Sequence, residues 1–324
     1  MEGFDHYGVS LLAAKGWALS GQASASMVSG RFGGQALNNS TNNNSAYVRS
    51  LTAAAATIII GFAFKTDSPT NNPTILQWTS GRLVMGTSGG NHVLLAQNAG
   101  GTTIGTGTTN IVANTWYYIE IKNVVGTSGT IEVHLNGATE IASTVGNFGT
   151  TNNTSIQTFY SPFTGNNTYD DFYVCNGLGS TNNNFLGDVR VVTAVPIGAG
   201  AHTQFQPNGS ASNWQCVDEI PPNDDTDYVS DANPGDIDTY DITSIDGGAS
   251  VFGVQNSLYA RKDDANVRQI AAVARQAGTD YVGATKTLGS SYLYYSELYD
   301  QDPTAANWTA TNVNADEFGV KEIA

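Results

Sequence analysis

One short stretch limits the architecture more than any other. In TIEVHLNGATEIA (130–142), Ile131, Val133 and Leu135 alternate with Glu132, His134 and Asn136, and Asn136-Gly137 follows. Alternation of period two describes a strand with one buried face. Asn-Gly supplies the two positive-φ positions of a type I′ turn, so the segment predicts a tight β-hairpin. Its surroundings read the same way. TWYYIEIKNVV (115–125), IIIGFAFKT (58–66), TILQWT (74–79), GRLVMG and NHVLLAQ are β-branched or aromatic runs separated by Gly, Asn and Pro. They recur roughly every eight to twelve residues, the spacing of an antiparallel sandwich or jelly roll. In TWYYIEIKNVV the alternation expects Trp116, Tyr118 and Ile119 or Ile121 in the core, with Glu120 and Lys122 outside.

Two segments carry helical signals. LTAAAATIII (51–60) has four consecutive alanines but no cap and runs into β-branched residues, which favours a strand entered from a loop. ANVRQIAAVARQAG (265–278) has an apolar helical face in Val267, Ile270, Ala271 and Ala274, yet strand-like neighbours favour a hairpin. The expected fold is all-β: an antiparallel β-sandwich over 1–197, a linker at 198–219 within a boundary segment that runs to Pro221-Pro222, and a smaller β-sandwich domain over 220–324. Within 169–196, DDFYVCN and GDVRVVTAV read as consecutive strands, with Pro196 as the stop.

Only 13% of the 324 residues are charged, about half the usual share, and the formal net charge is −15. Such a chain repels phosphate backbones, which excludes nucleic acid as a partner. No run approaches the roughly 18 apolar residues of a membrane span. The acidic opening MEGFDHYGVS does not read as a signal peptide, although the Asn/Thr/Gly-rich surface suits a protein working outside a cell. Cys175 and Cys216 stand far apart with no CxxC pair, which favours two buried free thiols and expects no metal or redox motif.

The TWYYIEIK strand followed by IEVHLNG resembles the concanavalin A-like, laminin-G-like jelly roll. The chain as a whole resembles structural proteins of tailed bacteriophage particles, through GFDHYG (3–8) with GRFGGQAL (30–37), through YDDFYVCNG…FLGDVRVVTAVP (169–196), and through DPTAANWTATNVNADEFGVKEI (302–323). That resemblance implies a non-enzymatic capsid-decoration or tail component, homo-oligomeric, partnered by other virion proteins, assembled in the host cytoplasm and released by lysis. The alternative is a carbohydrate-binding adhesin recognising host surface glycan.

Candidate sites are sparse. A glycosidase on this fold needs converging carboxylates, and none stand at such a spacing. Asp170 and Asp171 are adjacent, so a regular strand turns them to opposite faces, and they read as turn and edge residues rather than catalytic ones. His6, His92, His134 and His202 are scattered. Asp224, Asp225 and Asp227 open an acidic run that could hold calcium, against the simpler reading of a solvated loop with Asx turns. No other cofactor is expected. Candidate ligand or interface aromatics are Trp78, Tyr160, Trp214, Tyr294 and Tyr295, with Tyr292 in the same SYLYY cluster. Trp116 is assigned to the core. Tyr294 and Tyr295 take opposite faces of any strand, so at least one faces solvent or a partner.

Overall fold

The computed structural model describes residues 1–20, 24–39, 46–159 and 165–324. It divides into two compact units, Met1–Val191 and Val192–Ala324.

The first unit is a β-sandwich of two seven-stranded antiparallel sheets among the described residues. Its strands are β1 (Trp17–Ser20), β2 (Ala25–Ser29), β3 (Gln35–Asn39), β4 (Ala46–Ala55), β5 (Thr57–Thr66), β6 (Thr74–Trp78) and β7 (Gly81–Ser88). They continue as β8 (Asn91–Asn98), β9 (Thr103–Thr106), β10 (Tyr117–Val124), β11 (Gly129–Leu135), β12 (Ala138–Gly146), β13 (Asn153–Phe159) and β14 (Asn167–Cys175). One sheet runs β1-β4-β13-β6-β7-β8-β9 and the other β12-β11-β10-β5-β14-β3-β2. The alanine-rich run belongs to two strands, because the chain passes between sheets at Ala56, from β4 to β5. The hairpin forms with Asn136 and Gly137 at φ 50 and 78.

Two large side chains reach across between the sheets and place their polar ends on partners there, as burial favours. Trp78 Nε1 donates to Asn123 Oδ1 at 3.1 Å, and Tyr169 OH donates to the Ile75 carbonyl. Between them lie Ile58, Ile60, Phe62, Phe64, Ile119, Ile121 and Phe172, all essentially inaccessible.

The alternation in β10 differs from expectation. Residues Tyr117, Ile119 and Ile121 pair with Phe64, Phe62 and Ile60 on the inner face, whereas Tyr118 shares the outer face with Glu120 and Lys122. Trp116 is half-buried there, beneath Lys65 Nζ at 4.6 Å from its ring centroid, rather than in the core. Glu120 faces outward as its alternation requires, yet it is buried, because residues 176–191 lie across this face.

Those residues also correct the reading of GDVRVVTAV as a strand. Val189 packs on Ile59, Ala63, Tyr118 and Tyr173, and Asp188 pairs with Arg31, so the segment is held by side chains instead of a β-ladder. Pro196 does not stop a strand; it begins one.

The second unit contains β15 (Pro196–Thr203), β16 (Gln206–Asn208), β17 (Tyr228–Ser230), β18 (Ile237–Ile242), β19 (Val254–Ala260), β20 (Gln269–Gln276), β21 (Thr279–Val282), β22 (Lys286–Thr287), β23 (Leu293–Tyr299), a short helix α1 (Ala310–Ala315) and β24 (Glu317–Glu322). The stretch 198–219 is therefore not a linker. Its Gly/Ala alternation in IGAGAHT lacks large side chains because the strand lies close to its neighbours: a Cβ on Gly200 would come within 2.4 Å of Glu317 Oε2 and 2.5 Å of Thr239 Oγ1. Segment 265–278 is a hairpin strand, with Ala277 and Gly278 at φ 49 and 82.

The main sheet runs β15-β18-β24-β20-β21, and the ribbon β19-β23 covers one of its faces. Leu258, Ala260 and Tyr295 pack on Phe205, Ile270, Leu288 and Val320, while Val254 and Tyr299 pack on Ala274, Trp308, Val313 and Phe318. Helix α1 starts at Thr309, whose hydroxyl accepts the Asn312 amide at 3.1 Å. Thr309→Ala is expected to cost about 1 kcal/mol in urea unfolding, and Thr309→Ser to cost less.

Candidate functional site

The inward face of β19-β23 is fixed by Leu258 and Tyr295, so period two turns Gln255, Ser257 and Tyr259 outward, opposite Leu298, Ser296 and Tyr294. Tyr292 extends this face. Its ring stacks on Tyr259, with centroids 4.9 Å apart and planes at 16°, and the Tyr294 ring lies 4.7 Å from Tyr259, tilted by 39°. All three rings are half-buried, leaving part of their surface open.

The acidic loop closes on this cluster. Tyr259 OH donates to Asp224 Oδ1 at 3.0 Å, and Tyr292 OH donates to Asp225 Oδ1 at 2.9 Å. The Arg261 guanidinium lies 5.2 Å from the Tyr292 centroid and donates through Nη2 to Asp225 at 2.8 Å. Arg261 and Tyr292 hold the Asp225 carboxyl below its usual range. Both phenols are pushed up to about 12, chiefly by burial and then by the carboxylates that accept their protons. They are donors throughout the physiological range. The arrangement offers aromatic faces rimmed by carboxylates and a guanidinium.

Other candidates are placed elsewhere. Asp227 turns to Ser210, which donates to it at 2.6 Å, so the three carboxylates do not converge, and no metal-binding group of three or more His, Cys, Asp or Glu occurs among the described residues. The calcium expectation gives way to separate anchoring of the loop. Tyr295 lies on the covered face of the ribbon, and its hydroxyl accepts the Gly289 amide. Trp78 is 1% exposed in the core of the first unit. Trp214 is half-buried in the 3-10 turn Asn213–Cys216, and Tyr160 lies outside the described residues. Neither Cys175 nor Cys216 is in a disulfide; Cys216 is buried and Cys175 partly so. Tyr259 and Arg261 were not singled out by the sequence. The alternation of SLYAR places them on one face, but their pairing with SYLYY across a long connection is not written in either stretch.

Asp170 and Asp171 are not turn and edge residues. They occupy the middle of β14, 4% and 3% exposed, at a β-bulge where the register against β5 shifts between Asp170/Ala63 and Tyr173/Gly61. Asp171 adopts φ 52, which breaks the strict alternation that separates adjacent side chains. Asp170 accepts the Arg31 amide at 2.9 Å and the Asp171 amide at 2.9 Å, and Asp171 accepts the Val191 amide at 2.8 Å. Burial first, then the charge of Asp171, pushes Asp170 up to about 7; burial pushes Asp171 up to about 6. Values near neutrality often mark acid–base catalysts. Here the carboxyls instead fasten backbone amides of crossing segments, and almost none of their surface is open.

A carboxyl raised by burial contributes stability that is complete below its ordinary value and lost as pH rises through its folded value. Asn keeps the acceptor for Val191, tolerates φ 52 and carries no charge. Asp171→Asn is therefore expected to match the parent near pH 4 and to exceed it near pH 8 by on the order of 2 kcal/mol in urea unfolding. An equal shift at both values would assign the effect to packing.

Neither a protein-family model nor a curated protein matches this chain. Similar solved structures include an endo-beta-1,4-glucuronan lyase from the fungus Trichoderma reesei, 11% identical over 54% of this chain and 95% of its own, with a TM-score of 0.37. The cellulose-induced protein Cip1 is 13% identical over 49% of this chain and 91% of its own, at TM-score 0.39. The binding domain of botulinum neurotoxin DC in complex with SialylT is 11% identical over 95% of this chain and 89% of its own, at TM-score 0.35. At these identities and overlaps the likeness is one of β architecture only.

Proposed function

We propose that this protein is a non-enzymatic glycan-binding protein whose site is the tyrosine cluster on the β19-β23 ribbon. The observation that carries this reading is the Tyr259–Tyr292–Tyr294 stack with Asp224, Asp225 and Arg261 around it. Pyranose rings present C–H faces that lie on aromatic rings, and their hydroxyls both donate and accept. Tyr couples an apolar face to a polar tip and loses little conformational entropy on binding. A carboxylate accepts hydroxyl protons, so the rim of Asp224 and Asp225 meets the hydroxyls that a sugar donates.

A binder without turnover is supported by the state of the carboxyl pair most suggestive of chemistry, Asp170 and Asp171, which is enclosed and bonded to backbone amides. A glycan array probed with the whole chain tests the reading. Binding to a defined glycan set, with no shortening of bound polysaccharide, is expected; absence of any binding, or release of smaller sugars, would overturn it.

The sequence resemblance to tailed-phage particle proteins supports a location for this binder, as a virion surface or tail component facing host glycan. Mass spectrometry of purified particles tests that location separately, and absence of the chain from them removes it.

A further inference from the structure

The outward face of the ribbon does not end at the tyrosines. Along it, Ser257 stands opposite Ser296 and Gln255 opposite Leu298. Gln255 Nε2 donates to Ser257 Oγ at 3.0 Å, the two serine hydroxyls are 3.0 Å apart, and Leu298 is 55% exposed. From Arg261 to Gln255 the strand runs about 20 Å at the usual rise per residue. The tyrosines thus form one end of a strip that continues as hydroxyl, amide and exposed aliphatic groups. Glu297, the charged residue within this part of β23, takes the other face and pairs with Lys286 at 2.9 Å.

Charge at the tyrosine end is one-sided. The loop DEIPPNDDTD (218–227) carries Asp218, Glu219, Asp224, Asp225 and Asp227 and no Lys or Arg. The guanidinium in contact with the tyrosines, that of Arg261, is spent on Asp225 and on the Lys262 carbonyl. Asp224 adds a carboxylate on Tyr259. An acidic sugar would bring its own carboxylate against this rim without an uncommitted cation to receive it, and like charges in contact disfavour a complex. A cationic sugar would gain only at the loop, since the rest of the strip is uncharged.

From this geometry we infer that the ligand is a linear, uncharged oligosaccharide lying along β19-β23, with one ring over the tyrosines and the following residues over Ser257, Ser296 and Leu298. The inference rests on the tyrosine cluster being the glycan site and names the class of glycan it takes.

Calorimetric titration of the whole chain tests it, using neutral glucan and galactan oligosaccharides, oligouronates and oligoglucosamines, each as disaccharide and hexasaccharide, at low and high salt. At least one neutral hexasaccharide is expected to bind about tenfold or more tighter than its disaccharide, with affinity unchanged by salt. Ser257→Val combined with Ser296→Val removes both hydroxyls of the pair and releases the Gln255 amide that donated to Ser257, and is expected to narrow the hexasaccharide's advantage. Tighter binding of a uronate or glucosamine series, steep salt dependence, or equal affinity for both lengths would overturn the assignment while leaving the tyrosine site standing. Failure of all three series would remove the tyrosine site itself, and with it this inference.

Discussion

Truncating Tyr259 and Tyr292 together to Ala is expected to abolish glycan binding while the protein stays folded. Each ring supplies a face of the stack, and each phenol positions one carboxylate of the rim. Aromatic anchors at the centre of a site are worth about 2 kcal/mol or more apiece, roughly thirtyfold in affinity. The two are in contact, so their losses do not simply add. The folding cost is smaller, because Leu258 and Tyr295 anchor the ribbon through its opposite face and a cross-strand aromatic pair contributes about 0.2–1 kcal/mol. Tyr292→Phe separates the two roles. It keeps the stack, removes the donor to Asp225 and leaves Arg261 paired, so a partial loss of affinity is expected. Calorimetric titration with a glycan identified on the array reads all three proteins. Undiminished binding by the double variant would place the site elsewhere.

The strands were legible where the chain alternates between buried and exposed positions, as in β11, where Ile131, Val133 and Leu135 are buried and their neighbours half-buried. Two kinds of residue misled. Glu120 and Tyr118 stand on the outer face of a sheet that a distant segment covers, so burial there comes from residues 176–191 and not from local pattern. Gly198 and Gly200 read as linker because their value lies in the side chains they lack. The site divides along the same line. Asp224, Asp225, Tyr292 and Tyr294 drew attention by composition, whereas Tyr259 and Arg261 join them only through a register set by tertiary packing. At Asp170 and Asp171 the alternation of the strand breaks for a local reason. A bulge is one residue too many against the partner strand, and nothing in YDDFYV announces it.

That bulge also underlies the largest expected loss of stability. Between Asp170 and Tyr173, Asp171 and Phe172 together stand opposite Phe62, and the left-handed backbone of Asp171 returns Phe172 to the inner face that Tyr169 already occupies. Phe172 is 2% exposed and stacks on Phe62 at 5.2 Å and 13°, with Phe4, Trp17 and Tyr169 between 5.9 and 6.1 Å away. Phe172→Ala would open a void walled by four rings on three different chain segments. Large aromatics resist collapse into such a space, so a loss of about 3–5 kcal/mol in urea unfolding is expected. Phe172→Leu refills much of the volume but forfeits the ring contacts, and a loss of about 1–2 kcal/mol is expected. The buried carboxyls give the test its second reading. If packing of Phe172 is what holds Asp171 in its left-handed position, the alanine variant also frees the Val191 amide, and hydrogen exchange at Val191 rises together with exchange in β5 and β14. A large drop in stability with Val191 still protected would show instead that the bulge is held by its own hydrogen bonds, and that the aromatic cluster is seated on it rather than supporting it.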